Sequence, residues 1–368
     1  MSIKLKAYYE KQKTTFIKEC IGCGKCLKKC ALGHYWKNDR PLEVMDAVRH
    51  FFNNESFSQK FVEKKAFCCL ECFKCAQNVC PKGINPMDIN EILRFTLREK
   101  NTKVFNFDPP GNFQSDILEI CDKKLSKSEI QRITHISSKQ DSKYLFFPGC
   151  NVYWQPEKII KALKIIDKIT DDYTFLPGQI YCCGNNPIYY GDFSTAELSA
   201  QQFYDAILYY RPKTVILWCP TCLCRIHSTL SGLADFSTTF ISFGSFIASH
   251  LSDLRFKHLD SKKVTLHEPC KLAYNGYDTQ CYRTILNSLP GLKLIEMAHT
   301  HCCGCGLEMY SNQLAESLKK SRLNEAVKTK AATLVDICHA CHSFFSDNNE
   351  FASLEILNYV DLLDSLLD

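Results

Sequence analysis

The residues whose type and spacing could do chemistry are the cysteines, 23 of them in 368 residues, and they are not scattered. Nine fall within the first 100 residues, in two tight runs. The first reads Cys20-x2-Cys23-x2-Cys26-x3-Cys30. The second reads Cys69-x2-Cys72-x2-Cys75-x4-Cys80-Pro81, with Cys68 directly before it. Two-residue spacers let one loop wrap three thiolates around a single centre, and Gly22 and Gly24 permit the backbone turns this needs. Zinc also takes four-cysteine sites with short spacers. Three cysteines at consecutive two-residue spacing, twice over, fit cubane iron–sulfur clusters better.

The rear of the chain repeats itself. KYLFFPGC, ending at Cys150, matches KKVTLHEPC, ending at Cys270. DYTFLPGQIYCCG matches LKLIEMAHTHCCG, and KTVILWCPTC matches ATLVDICHAC. The offsets between marker cysteines are 120, 120 and 119 residues, so three markers hold one register and the half is a duplication. One copy carries Cys150, Cys182, Cys183, Cys219 and Cys222; the other carries Cys270, Cys302, Cys303, Cys338 and Cys341.

The remaining composition bounds the setting. A net charge of +5 is spread thinly, without the concentrated basic element of a nucleic-acid binder, so no nucleic-acid partner is expected. Residues 1–19 show no apolar signal core, and no stretch nears the roughly 20 apolar residues that span a bilayer. A reducing, cytoplasmic setting is therefore expected, with peripheral attachment to the inner membrane face through a partner as the alternative. There, clustered cysteines serve as metal ligands or redox groups rather than a disulfide framework, and an odd count could not pair fully within one chain.

The elements that must position these thiols can be read coarsely. Apolar residues at helical spacing (Val44, Val48, Phe51, Phe52) predict a helical stretch from Pro41 to Phe67, and Asp88 is a plausible helix start after Pro81. Residues 101–142, with Asp108-Pro109-Pro110-Gly111, read as a linker with one short helix. In each repeat, strands alternate with helical stretches, which predicts a mostly parallel sheet covered by helices. Every marker cysteine lies at or just past the C-terminal end of a predicted strand, the edge where ligands gather in open α/β sheets. The expected organisation is a mostly helical module over 1–100, a linker over 101–142, and two Rossmann-like α/β domains over 143–255 and 256–368. EILNYVDLLDSLLD at the C-terminus is amphipathic and is expected to pack on its own domain.

The front module resembles a bacterial two-cluster ferredoxin, in which the last cysteine of each run ligates the other cluster. The resemblance implies one cubane [4Fe–4S] cluster on Cys20, Cys23, Cys26 and Cys80, and a second on Cys69, Cys72, Cys75 and Cys30. There are two departures: Ala31 rather than proline follows Cys30, and the second run has one extra residue before Cys80. Cys68 could also stand in for Cys69.

The repeats resemble the CCG cysteine-rich domain of heterodisulfide reductase catalytic subunits, with relatives in the iron–sulfur subunits of glycolate, lactate and glycerol-3-phosphate dehydrogenases. The order of modules resembles that of the heterodisulfide reductase D-type polypeptide, or of the C-type and B-type polypeptides fused. The resemblance implies that each five-cysteine set holds a non-cubane [4Fe–4S] cluster, with zinc in one CCG site as the alternative. It further implies that electrons enter at the cubanes, supplied by a flavoprotein, an iron–sulfur subunit or a membrane cytochrome b. They would then be used to reduce a disulfide substrate to two thiols. For this the cysteine edges of the repeats must face each other. The rival reading is a conduit that links a flavin dehydrogenase to a quinone or membrane cytochrome without bond chemistry.

Some signals carry less. No dinucleotide-binding glycine motif follows a predicted strand, so no flavin is expected in this chain. Cys219-Pro-Thr-Cys222 alone looks like a redox dithiol, but its place in a five-cysteine repeat argues against that. Apart from Cys68, the cysteines left over are Cys121, Cys281, Cys224 and Cys305, which read as small buried hydrophobes, the last two beside ligand loops. His267, His301, His339 and His342 flank the second site, whereas the first has only His227, which makes the second chemically distinct.

Overall fold

In a computed structural model, the chain is described over residues 3–36, 40–76, 78–100, 113–308, 310–347 and 350–368. It divides into two units: the N-terminal helices with Gly184–Leu198 and Gly304–Leu318, and the two sheets with the remaining helices.

The first unit is helical because its apolar residues recur on single helix faces. Helix α1 (Leu5–Glu19) buries Leu5, Tyr9 and Phe16. After the short α2 (Lys25–Lys28), α3 (Pro41–Phe52) buries Val44, Val48, Phe51 and Phe52, the residues its spacing marked. The single stretch expected to Phe67 is two helices: Asn54 turns into the left-handed region (φ +58°), and α4 (Gln59–Phe67) starts afresh. Helix α5 (Pro86–Glu99) begins before Asp88, because Asn85 caps it by accepting from the Met87 N–H at 3.0 Å and Pro86 fits the first helical position. Asp88 is buried instead, accepting from Tyr8 Oη at 2.8 Å.

Asp108-Pro109-Pro110-Gly111 lies outside the described residues. Beyond it stand two helices where one was expected, α6 (Phe113–Lys124) and α7 (Lys127–Thr134), the latter opened by a Ser126–Glu129 capping box.

The second unit begins with β1 (Tyr144–Phe147), α8 (Pro156–Ile169) and β2 (Tyr173–Phe175). The chain then passes through α9 (Asn185–Tyr189), which belongs to the first unit, and α10 (Phe193–Tyr210), which starts there. Then come β3 (Thr214–Leu217), α11 (Pro220–Ser228), β4 (Thr239–Ser242) and α12 (Phe243–Ser249). The second repeat runs β5 (Lys262–His267), α13 (Cys270–Ala273), α14 (Gln280–Ser288), β6 (Leu292–Leu294), α15 (Asn312–Lys328), β7 (Thr333–Asp336), α16 (His339–Ser346), β8 (Glu355–Asn358) and α17 (Tyr359–Leu366).

Each repeat forms a four-stranded, wholly parallel sheet, ordered β2-β1-β3-β4 and β6-β5-β7-β8. Strands β1 and β7 are buried at all four positions, as parallel strands covered on both faces require. Because the chain steps outward from β1 to β2 and then returns to the other side for β3, each sheet has a switch point between its two central strands. The repeats pack by like surfaces: α8 meets α17, and its counterpart α14 meets α12. Lys158 and Lys161 both pair with Asp361, the latter at 2.6 Å. The C-terminal segment supplies β8 and α17, so it completes its own sheet and also braces the first repeat through α8.

Candidate metal centres

In the first unit the two runs of cysteines line two hollows. Cys20, Cys23, Cys26 and Cys80 line one of about 460 Å³, with Met45, Ile84 and Ile89. Cys30, Cys69, Cys72 and Cys75 line another of about 430 Å³, with Trp36, Met87 and Asn90; Cys68 also borders it and Cys26 borders both. The two runs thus exchange their last cysteines, Cys30 and Cys80, across the hollows. Gly22 and Gly24 are left-handed (φ +67° and +64°), and a side chain at Gly24 would sit 2.7 Å from Pro41. The same turns recur in the second run without glycine, at Glu71 (φ +48°) and Phe73 (φ +57°).

A buried network holds that second loop. Arg94 pairs with Glu71, donates to the Ala66 carbonyl at 2.7 Å and lies 4.3 Å from the Tyr189 ring centre. Asn185 donates to the other Glu71 oxygen at 3.2 Å. Cys69 Sγ accepts from the Glu71 N–H at 3.3 Å and from Asn90 Nδ2 at 3.1 Å. Lys65, 3 % exposed, borders both hollows and donates to Asn90 Oδ1. Nothing in the local spacing of Lys65, Asn90 or Arg94 marks them, since they reach the cysteines from other helices.

In the second unit the ten cysteines of the two repeated sets gather at the switch points. Cys150 follows β1 and Cys219 and Cys222 follow β3, with Cys182 and Cys183 beyond β2. The Cys150 and Cys182 sulfurs are 3.7 Å apart. In the second repeat, Cys270 and Cys302 are 3.6 Å apart and Cys303 and Cys341 3.2 Å. Gly149 (φ +88°) lets its loop close onto the neighbouring one: a Cβ there would lie 2.6 Å from Cys219 Cβ. The glycine of each CCG motif is left-handed and pressed against the following helix, a Cβ on Gly184 falling 2.7 Å from the Ala196 carbonyl and one on Gly304 falling 2.6 Å from that of Ala315.

The thiols perturb one another alike in both repeats. Contact with Cys222 pulls Cys219 below the ordinary thiol range, whereas Cys183 and Cys219 push Cys222 well above it. Cys341 lowers Cys338, and Cys303 and Cys338 raise Cys341. Five thiols packed together and largely buried cannot all ionise without a cation. Among the described residues no two cysteines are joined by a disulfide. Sulfur separations of 3.2–3.7 Å are far from a disulfide bond but close to the roughly 3.8 Å edge of a tetrahedron with 2.3 Å metal–sulfur bonds. These donor sets fit a thiolate-bound metal centre, and Cys219–Cys222 belongs to one of them rather than forming a separate dithiol.

The cysteine edges of the two repeats abut. Helix α11, carrying Cys222, packs on α13, which opens at Cys270; α16, carrying Cys341, packs on the turn after Cys150. Trp218 and His339, each beside a marker cysteine, touch with ring centres 4.5 Å apart. Of the flanking histidines, His267 and His339 are fully buried, His342 bonds Asp336 at 2.7 Å and His301 is exposed. Burial pushes His267 and His339 each down to about 3, with the Arg322 charge adding to the effect on His267. One His267 ring nitrogen and the sulfurs of Cys303 and Cys341 lie within 4.8 Å of one another. Cys68, Cys121, Cys224 and Cys281 are buried, Cys281 donating to the Asp278 carbonyl at 3.3 Å; Cys305 is half-exposed. Among the described residues no helix is long and apolar enough to cross a membrane.

Family profiles agree with this architecture. That of the CCG cysteine-rich domain matches residues 144–227 and 264–346, and that of a 4Fe-4S dicluster domain matches 19–85. The chain is 26% identical to the B polypeptide of the fumarate reductase (CoM/CoB) of Methanothermobacter marburgensis, over 96% of this chain and 73% of that protein. It is 23% identical to the D polypeptide of the dihydromethanophenazine:CoB–CoM heterodisulfide reductase of Methanosarcina barkeri and 24% identical to that of Methanosarcina mazei, over 92% of this chain and 90% of each. A solved structure of a hypothetical protein from Helicobacter pylori aligns over 90% of this chain and 73% of its own, at 11% identity and a TM-score of 0.42. The chain thus carries a 4Fe-4S dicluster domain ahead of two CCG cysteine-rich domains, and over 92% of its length it is similar to the heterodisulfide reductase D polypeptides.

Proposed function

We propose that this chain is the disulfide-reducing component of a heterodisulfide-reductase-like oxidoreductase. Cys20, Cys23, Cys26 and Cys80 would hold one cubane [4Fe–4S] cluster, and Cys30, Cys69, Cys72 and Cys75 the other. The sets Cys150, Cys182, Cys183, Cys219, Cys222 and Cys270, Cys302, Cys303, Cys338, Cys341 would hold non-cubane clusters. Such clusters supply electrons singly, and a disulfide that takes up two electrons and two protons becomes two thiols. The chain's own contribution is to bury most of the ten rear thiols and to seat them at adjoining sheet edges. An electron donor is then needed from outside: a flavoprotein, an iron–sulfur protein or a membrane cytochrome b.

The observation that supports a disulfide role over simple conduction is the duplication itself. Both five-thiol sets are complete and their edges abut, which suits a substrate with two sulfur atoms to receive. The test is anaerobic purification with iron and sulfide analysis, then EPR after addition of candidate thiols or disulfides. About 16 iron atoms per chain and a new paramagnetic signal with one specific thiol are expected. About 8 iron atoms, or no thiol-dependent signal with all sites filled, would overturn it.

A further inference from the structure

The duplication makes each repeat a reference for the other, and at one buried, packed pair of positions they differ in a way that reaches the cysteines. The last residue of β1 is Phe147, which packs against Phe203 of α10 with ring centres 4.9 Å apart. The register that aligns Gly184 with Gly304 and Ala196 with Ala315 places His267 and Arg322 at the same two points in the second repeat. All four side chains are buried, His267 completely and Arg322 to within 1 %. An apolar pair has become a polar one inside a core, where a guanidinium needs every partner it can find.

Arg322 finds them. Its Nη1 donates to the His299 carbonyl at 2.6 Å and to Glu325 at 2.7 Å, and its Nε donates to His267 Nδ1 at 3.0 Å. That last bond fixes the ring. A guanidinium has only donors, so Nδ1 must accept, and the single ring proton of His267 must sit on Nε2. Nε2 is buried and has no hydrogen-bond partner among the described residues, and His267 stands within 4.8 Å of Cys303 and Cys341. A nitrogen that carries a proton cannot ligate a metal, but it can donate to a metal-bound sulfur.

We propose that His267 is a hydrogen-bond donor to the cysteine sulfurs of the second five-thiol site, and that Arg322 is a positioning residue that makes it one. At the matching position the first site has Phe147, whose side chain carries no N–H. An N–H···S bond withdraws electron density from the thiolate and raises the reduction potential of the group it binds. The second site is therefore the more readily reduced of the pair, so that the first electron settles there. This rests on the proposed function insofar as both sites hold redox-active iron.

The experiment uses the anaerobically purified full chain, its H267F and R322M variants, and the double variant H267F/R322F, which installs the first repeat's apolar pair. Iron content is read first, then an EPR-monitored redox titration. The double variant is expected to keep its full iron complement while the second-site signal moves to lower potential. A tenfold drop in the reduced-to-oxidised ratio at fixed potential corresponds to about 59 mV for one electron. R322M should move it the same way, since the ring proton is then free to change nitrogen. On the unmodified chain, pulsed EPR with 15N-labelled histidine should show a weak, hydrogen-bond-type nitrogen coupling. Unchanged potentials with full iron, or a strong coupling from a directly bound nitrogen, would overturn the inference and leave the proposed function standing. Loss of second-site iron from H267F alone, with the first site filled, would make His267 a ligand and equally overturn it. If the unmodified second site holds zinc, the proposed function fails instead, and cobalt substitution reads the same distinction: nitrogen bound to cobalt refutes the donor role.

Discussion

Replacing Arg94 by methionine tests whether one buried ion pair holds the second ferredoxin-type loop. Glu71 sits between Cys69 and Cys72 in a left-handed conformation that glycine takes at Gly22 of the first run. L-residues adopt that region at a cost of about 1–2 kcal/mol. What holds Glu71 there is Arg94, whose side chain is wholly buried against a Glu71 side chain only 4 % exposed. Removing one partner of a buried pair strands the other, at a cost of about 3–5 kcal/mol. That is roughly two to four decades in the local equilibrium. The loop's own preference reinforces the loss rather than opposing it. The cysteine set of Cys30, Cys69, Cys72 and Cys75 should therefore release iron before the set built on Cys20.

The assay is a urea titration of the anaerobic holoprotein, following visible cluster absorption and iron released, for R94M, E71Q and R94M/E71Q. Each single variant should lose about 4 of 16 iron atoms early. The double variant should be less damaged than the sum of the singles by about 1–3 kcal/mol, because it leaves no unpaired charge. Single variants that match the parent, or effects that simply add, would refute the reasoning.

Three further outcomes follow from the same geometry. In G149A the new Cβ would stand 2.6 Å from Cys219 Cβ on a left-handed backbone, so iron should be lost from the first CCG site alone; full iron by analysis would contradict this. C69S should lose iron from the second hollow while C68S retains it, because Cys69 Sγ already accepts two N–H groups at 3.1 and 3.3 Å; the reverse result in iron analysis would make Cys68 the ligand. K65M removes a buried ammonium that borders both hollows, so both cubane signals should move to lower potential in a redox titration, and a shift in neither would deny Lys65 that role.

What the sequence makes legible follows from how far apart the cooperating residues lie. Cysteine runs, strand ends and the CCG glycines interact within a few positions, so their spacing carries their geometry. The short edge strands β4 and β8 were not legible, because four residues at a sheet edge show little periodicity and are fixed by pairing with β3 and β7. The break at Asn54 was hidden for the opposite reason: apolar spacing persists on both sides of it. The chemically decisive partners are the least visible. Arg94 comes to Glu71 from α5, and Arg322 comes to His267 from α15, 55 residues along the chain. His267 could be noticed beside Cys270, yet alone it reads equally as ligand, donor or packing. Only the register of the two repeats, which sets it against Phe147 and its partner against Phe203, turns a flanking histidine into a difference between two otherwise matched sites. A duplicated fold thus provides its own comparison: what the repeats share builds a thiol-lined edge, and where they part is the place to look for a division of labour.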